Sequence, residues 1–300
     1  MPSLDALILS AGKASRFGVP KFLLPAGAGH VLLTRVLEQA LRVADGRVGV
    51  VLGREAGVAR YALECWLAGQ PTAYRVFTVL NRRYRYGQST SLKAGIRMLQ
   101  DAAGVLVFLA DMPALDSQKL QQLTYAIAHR GSQTLAVVAA EQGQIRPPVF
   151  LTQPLLAEVG KLTGDQGARG LLKAHAESIE RVEWGSGPWF WDVDDWSTYQ
   201  RLARKMGWVE EPFAPIPEAS PVPEIQMRLD AALASEAVPW LSPGLLLLSC
   251  KGETRWLKLP QSYRGVREVI LGPAHTPAAY LQLLRRAALA VLTNNRCAGT

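Results

Sequence analysis

The chain has 300 residues, 49% of them hydrophobic and 19% charged, with a formal net charge of +8. That is a globular composition, long enough for two domains, and its cationic surplus favours anionic partners without choosing among them. The three cysteines are scattered and odd in number, which argues against a zinc spacing or a disulfide framework; no run of five cations suggests a nucleic-acid tail, and no apolar run approaches the ~20 residues of a membrane span.

In chain order, residues 6–10 read as a strand, 31–43 as an amphipathic helix, 47–53 as a strand and 58–67 as a helix. Residues 75–80 come next as a strand, 89–100 as a helix, 104–110 as a strand, 117–129 as a helix, 134–139 as a strand and 161–175 as a helix. Short strands rich in Val, Ile and Leu alternate with helical periodicity, which predicts an α/β fold: a mostly parallel, Rossmann-like sheet with helices on both faces. In such sheets ligands gather beyond the carboxyl ends of the strands. Residues 212–224 hold five prolines in thirteen positions, a density that no helix or central strand tolerates, so they read as an extended linker. Beyond it come a helix at 225–234, strands at 244–249, 254–259 and 266–271, and a helix at 277–289. The expected organisation is a domain over 1–211, a Pro-rich linker over 212–224 and a small α/β region over 225–300.

Five stretches carry polar groups where such a fold displays them. After the first strand comes Ser10-Ala11-Gly12, then Lys13, Arg16 and Lys21. A turn of small residues lets successive backbone N–H groups form an anion-binding concavity, and Arg16 and Lys21 add charges suited to phosphate oxygens; the same pattern also fits a surface loop with solvated cations. The sequence matches neither GxxxxGK[ST] nor GxGxxG, so a P-loop or a dinucleotide fold is unsupported. Asp111 ends a buried strand just before Met112-Pro113, a place for a hard cation shared with phosphates or for a turn and cap. Asp192, Asp194 and Asp195 crowd within four residues and repel unless a cation neutralises them; Asp195 also fits the cap of the helix at 197–205. The stretch Tyr86-Gly-Gln-Ser-Thr-Ser91 offers hydroxyls and an amide at a helix start, and Thr163 to Arg169 forms a polar loop in which Asp165 and Arg169 pair with each other or meet a charged substrate.

Taken together, these stretches resemble the MobA/MocA-like nucleotidyltransferase family, and within it the molybdenum-cofactor cytidylyltransferases and accessory proteins of xanthine-dehydrogenase-type enzymes. Leu9-Ser-Ala-Gly12, Ser15-Arg16-Phe-Gly18, Pro20-Lys21 and Leu24-Pro25 match the family's LAAGxSxRxGxPKxLLP signature. The 87–96 stretch, Ala110-Asp-Met-Pro113, Pro148-Val149, Gly164-Asp165, Gly167 to Arg169 and Asp192-Val-Asp194 then come in the family's order, over about 205 residues. The resemblance implies a nucleotide site at Ser10, Ala11, Gly12, Arg16, Lys21 and Ser91, with Ser91 helping to read the base. It implies catalytic roles for Arg16, Lys21 and Asp111, Mg²⁺ held by Asp111 and Asp194, and an acceptor site at Asp165 and Arg169.

The implied reaction moves CMP from CTP, or another nucleoside monophosphate from its triphosphate, to the terminal phosphate of molybdopterin and releases pyrophosphate. The expected setting is the cytoplasm, with the triphosphate, a phosphorylated pterin and a molybdenum hydroxylase apo-enzyme as partners, and neither nucleic acid nor membrane. Three positions depart from the family pattern. Ser10 stands where the family has Ala, a mild change. Arg146-Pro147 replaces a Gly-His pair, which leaves the acceptor open. Asp195-Trp196 replaces a Thr-Pro turn but keeps both preceding acids. Two alternatives compete. One is a non-catalytic chaperone that holds the finished dinucleotide cofactor; the other is a sugar-phosphate nucleotidyltransferase.

Overall fold

The computed structural model describes residues 3–12, 21–24, 26–27, 30–54, 56–68, 70–208, 245–250 and 253–258. These fall into two compact units, Met1–Lys13 with Leu32–Asp194, and Ala14–Val31 with Asp195–Thr300. The first unit is built on a seven-stranded sheet. Its strands are β1 (Asp5–Ser10), β2 (Val48–Leu52), β3 (Val76–Leu80), β4 (Gly104–Leu109), β5 (Ala136–Glu141), β6 (Gln144–Thr152) and β7 (Ile179–Glu183), in the order β3-β2-β1-β4-β6-β5-β7. Every pairing is parallel except those of β6, which runs antiparallel to both β4 and β5.

The helices of this unit are α1 (Leu32–Val43), α2 (Ala56–Leu67), α3 (Gln88–Arg97), α4 (Ser117–His129), α5 (Gln153–Glu158) and α6 (Arg169–Ala174). Central β1 is buried because β2 and β4 flank it and helices cover its faces, which is why Ala6 to Leu9 read as an unbroken apolar run. Helix α1 turns Leu32, Leu33, Val36, Leu37 and Ala40 inward at helical spacing. Helix α3 lies close enough to the sheet that a Cβ on Gly95 would meet the Leu7 side chain.

The mostly parallel sheet is as the sequence pattern predicts, and most elements fall within a few residues of expectation. Three elements were not anticipated: β6, α5 and β7. The prolines at 147 and 148 mask β6, since a proline cannot donate to a ladder. The strand accommodates them at an irregularity where Val138 faces Val149 and Ala139 faces Arg146, so that both prolines fall in the skipped positions. The helix expected over 161–175 is a correction. Only Arg169–Ala174 is α-helical, preceded by 3-10 turns at Val159–Lys161 and Gly164–Gln166. Gly164 and Gly167 adopt positive φ and break the run.

In the second unit, α7 (Trp196–Lys205) starts on Asp195, whose carboxylate accepts from Thr198 N at 2.7 Å and from the Ser197 hydroxyl at 3.0 Å. Strands β8 (Leu245–Cys250) and β9 (Glu253–Lys258) form an antiparallel pair, close to the two strands expected there. The linker at 212–224, the helices at 225–234 and 277–289 and the strand at 266–271 lie outside the described residues. Among those residues no helix is long and apolar enough to cross a membrane.

Two electrostatic features set expectations for stability. Buried Asp5 accepts from Arg47 N at 2.6 Å and from Arg47 Nη2 at 2.7 Å, and Arg47 also reaches Asp101. Asp5 first, then Asp101, raises the Arg47 pKa. Arg47→Met strands a buried carboxylate with its backbone donor alone, and should lower unfolding free energy by about 2 kcal/mol in urea titration. The Thr198 amide, then the Ser197 hydroxyl, holds the Asp195 carboxyl below its ordinary value of 3.8. That contribution is complete above the ordinary value and disappears as pH falls through the depressed one. Asp195→Ala should therefore cost about 1 kcal/mol at pH 7 and progressively less on acidification, read from thermal melts across pH.

Candidate active site

The parallel pairing of β1 with β4 brings their carboxyl ends to one level. Leu9 faces Leu109, and Ala110 N donates to Leu9 O at 3.1 Å. The Ala11-Gly12 turn and Asp111 therefore emerge side by side, although about 100 residues separate them in sequence. The loop after β4 is fixed from below by Gln39 of α1, whose Nε2 donates to Pro113 O and Leu115 O at 3.0 Å each. Val193 N donates to Asp111 O at 2.9 Å, which ties Asp192–Asp194 to the same loop. Half-buried Asp111 and exposed Asp194 thus belong to one corner of the unit.

A cleft of about 320 Å³ opens here, within the range of small-molecule sites. Leu9, Ala11, Gly12, Leu109 and Asp111 form one side; Tyr84, Gly87, Gln88, Ser91 and Asp165 form the other. Helix α3 has no side-chain cap on its first turn. Because Gly87, Gln88 and Ser91 line the cleft, that positive end of the helix dipole adjoins the ligand space. A side cavity of about 190 Å³ adjoins it, sharing Leu9, Gln88, Leu109 and Asp165. Its walls are mostly aliphatic, and Arg146 and Arg169 supply its cations. Glu141 holds Arg146 through two hydrogen bonds, at 3.1 and 2.9 Å.

The fold brings together Ala11, Gly12, Ser91, Asp111 and Asp165 in one cleft, and Asp165 with Arg169 in the adjoining cavity. Ser10 closes β1 half-buried, opposite Leu52, and does not line the cleft. Lys21 opens a 3-10 turn (Lys21–Leu23) of the second unit, and Arg16 lies outside the described residues. A cavity of about 770 Å³ opens at the opposite edge of the sheet, with Leu4, Gly104 and Thr152 in its wall, and contains none of the predicted site residues.

As a site for a divalent ion, the corner offers hard carboxylate oxygens from Asp111 and Asp194. No group of three or more His, Cys, Asp or Glu gathers into a cage among the described residues. That donor set fits a cation held by one or two carboxylates and completed by phosphate oxygens, as Mg²⁺ is held.

Sequence reasoning missed Asn81 and Tyr84. Asn81 is buried directly after β3, where its Nδ2 donates to Thr90 Oγ1 at 2.9 Å and to Ser91 Oγ at 3.0 Å. The signal was available: a polar residue that ends an apolar strand, the same cue that singled out Asp111.

A protein-family model described as a MobA-like NTP transferase domain matches residues 6–179. The chain belongs to the MobA-like NTP transferase family. The match covers β1 to the start of β7, and so every strand that frames the cleft. Among curated relatives of this MobA-like chain, the purine catabolism protein PucB of Bacillus subtilis is 30% identical over 179 residues, which are 58% of this chain and 82% of PucB. The bifunctional protein GlmU of Xanthomonas campestris is 30% identical over 125 residues, 41% of this chain but only 26% of GlmU. A solved nucleotidyl transferase from Methanothermobacter superposes with a TM-score of 0.56 at 23% identity, covering 68% of this chain and 97% of that one, and so shares the fold.

Gly87 packs closely against the Gly164–Gln166 turn in the wall of this MobA-like cleft. It has φ of +108°, and a Cβ there would strike the carbonyl of Gly164. Gly87→Ala should force the Gly164–Gln166 turn away from α3 and cost about 1–3 kcal/mol, with thermal melting as the measurement. A variant as stable as the parent would show that this approach is not required.

Proposed function

We propose that this protein is a divalent-metal-dependent nucleotidyltransferase that transfers CMP from CTP to the terminal phosphate of molybdopterin and releases pyrophosphate. The reading rests above all on one juxtaposition: the Ala11-Gly12 turn, Ser91 and Asp111 line a single cleft at the carboxyl edge of the sheet.

In this reading a phosphate oxygen of the acceptor attacks the α-phosphorus of the triphosphate. The bond from that phosphorus to the oxygen of the β-phosphate breaks, and pyrophosphate leaves with the electron pair. The nucleophile is already ionised at neutral pH, so no side chain must remove a proton. The protein's task is positioning and the stabilisation of negative charge. The backbone of Ala11 and Gly12 and the amino-terminal end of α3 accept anionic groups, while Arg16 and Lys21 are assigned to the triphosphate from the family pattern. Asp111 and Asp194 would hold Mg²⁺, which would supply charge neutralisation at the phosphates.

The acceptor belongs in the side cavity. Leu92, Val107, Val149 and Leu172 make its walls aliphatic, which suits a body with an apolar face better than a polyhydroxylated sugar, whose hydroxyls would lose water without gaining partners. In this reading Asp165, Arg169 and Arg146, which line that cavity, meet its polar groups. A role beside a xanthine-dehydrogenase-type hydroxylase agrees with a relative named for purine catabolism. A sugar-phosphate acceptor is the second reading, and a cytoplasmic setting is part of the proposal.

The test is pyrophosphate release from CTP, Mg²⁺ and molybdopterin by the full chain. Asp111→Asn should reduce turnover by about 10²–10³-fold while leaving the melting temperature close to that of the parent. Undiminished turnover in that variant would overturn the assignment, and retention of bound cofactor without any new dinucleotide would favour a chaperone.

A further inference from the structure

Charge is unevenly distributed along this chain. Residues 65–100 hold six cations, Arg75, Arg82, Arg83, Arg85, Lys93 and Arg97, and not one Asp or Glu, whereas the whole chain nets +8. The stretch carries β3, the loop after it and α3. Arg75 is engaged locally, donating to the carbonyls of Ala44 and Gly46 at 2.6 and 3.1 Å. Arg82, Arg83, Arg85 and Arg97 are exposed, and among the described residues no carboxylate pairs with any of them. Arg83 and Arg85 instead lie 5.7 Å from the ring centres of Tyr86 and Tyr84.

Apolar exposure collects in the same stretch. Of the five large hydrophobic side chains exposed among the described residues, Tyr74, Leu80, Tyr86 and Met98 lie here, Tyr74 at 85% and Tyr86 at 70%. The backbone is open as well. Strand β3 ends the sheet and, among the described residues, pairs only with β2. Asn81 N donates to Leu52 O at 2.8 Å. Backbone direction alternates along a strand, so Phe77 and Val79 face β2 too, while Thr78 and Leu80 turn their N–H and C=O groups outward. Phe77 and Val79 also pack against the core cluster of Leu7, Val51 and Leu92, which seats the edge without a further strand.

Cations by themselves guard an edge against unwanted pairing. Here they accompany exposed apolar side chains and outward backbone groups, the set that an incoming strand needs. We propose that the β3 edge and the loop 82–85 form a docking site for an extended acidic segment of another protein, which adds as a strand beside β3. The incoming backbone bonds to Thr78 and Leu80, its apolar side chains cover Leu80 and Tyr74, and its carboxylates pair with Arg82, Arg83 and Arg85. A second copy of this chain fits poorly, because it brings the same cations to the edge. A nucleic acid offers charge but no alternating row of donors and acceptors. This surface lies beyond the proposed transfer reaction and does not depend on it.

The test is fluorescence anisotropy of the full chain with three labelled probes. They are a short peptide alternating glutamate and valine, the same peptide with proline for each valine, and an oligothymidylate of equal charge. The alternating peptide should bind about tenfold or more tighter than either of the others, and less tightly as salt is raised. Arg82→Glu/Arg83→Glu should weaken it by about tenfold or more. Thr78→Pro removes an outward N–H and none of the ladder to β2, so it should weaken the peptide while leaving the melting temperature close to that of the parent. Should that proline unfold the strand, the double charge reversal in the surface loop carries the test.

Equal binding of the proline peptide would reduce the surface to non-specific charge and overturn the proposal. So would failure of the alternating peptide to bind, indifference to the charge reversal, or tighter binding of the oligothymidylate. Self-association of the parent in sedimentation velocity, lost in Thr78→Pro, would assign the edge to a second copy and equally defeat it.

Discussion

The site depends on one constraint, the parallel pairing of β1 with β4. Two neighbouring parallel strands in register end at the same level, so the residues immediately after each strand are delivered to the same place. Here Leu9 faces Leu109, and the next hydrogen bond joins Ala110 to Leu9. The small-residue turn after β1 and the carboxylate after β4 have no choice but to be neighbours. The same pairing leaves β1 almost no contact with solvent, which is why the strand is apolar through its centre.

Around this pair the protein commits polar groups to rigidity. Gln39 reaches from α1 to two carbonyls of the loop that carries Asp111. Val193 ties a distant stretch of carboxylates to Asp111 itself. The Asn81 NH2 group braces the start of α3 while its oxygen accepts from Arg83 N in its own loop. The bonds of Gln39, of Val193 and of the Asn81 NH2 group each join stretches that are distant in sequence or belong to separate elements. For a nucleotidyl transfer, rigid placement of charge and dipoles is a main contribution a protein can make.

The cavity beside the cleft bears on the acceptor. Four aliphatic side chains wall a space that Arg146, Asp165 and Arg169 border. Pro147 also lines it, directly after Arg146. A carboxylate from the neighbouring strand holds that arginine in position. Its guanidinium is a permanently charged planar fork suited to a carboxylate or a phosphate.

The sequence by itself determined the element types and the small set of residues worth watching. Alternating apolar runs and helical periodicity specified the parallel sheet, and strand-end polar residues such as Asp111 marked the ligand edge. Asp195 was readable as a cap because capping is local, settled within three residues. Periodicity failed where backbone exceptions dominate: the proline pair concealed β6, and positive-φ glycines broke the helix expected over 161–175. Only the tertiary structure decided the strand order, the presence of Asn81 behind Ser91, and the separation of Asp165 and Arg169 from Ser10. Those relations are set by which strands pair and how closely helices approach the sheet, and such long-range contacts leave no periodic trace in the order of the residues.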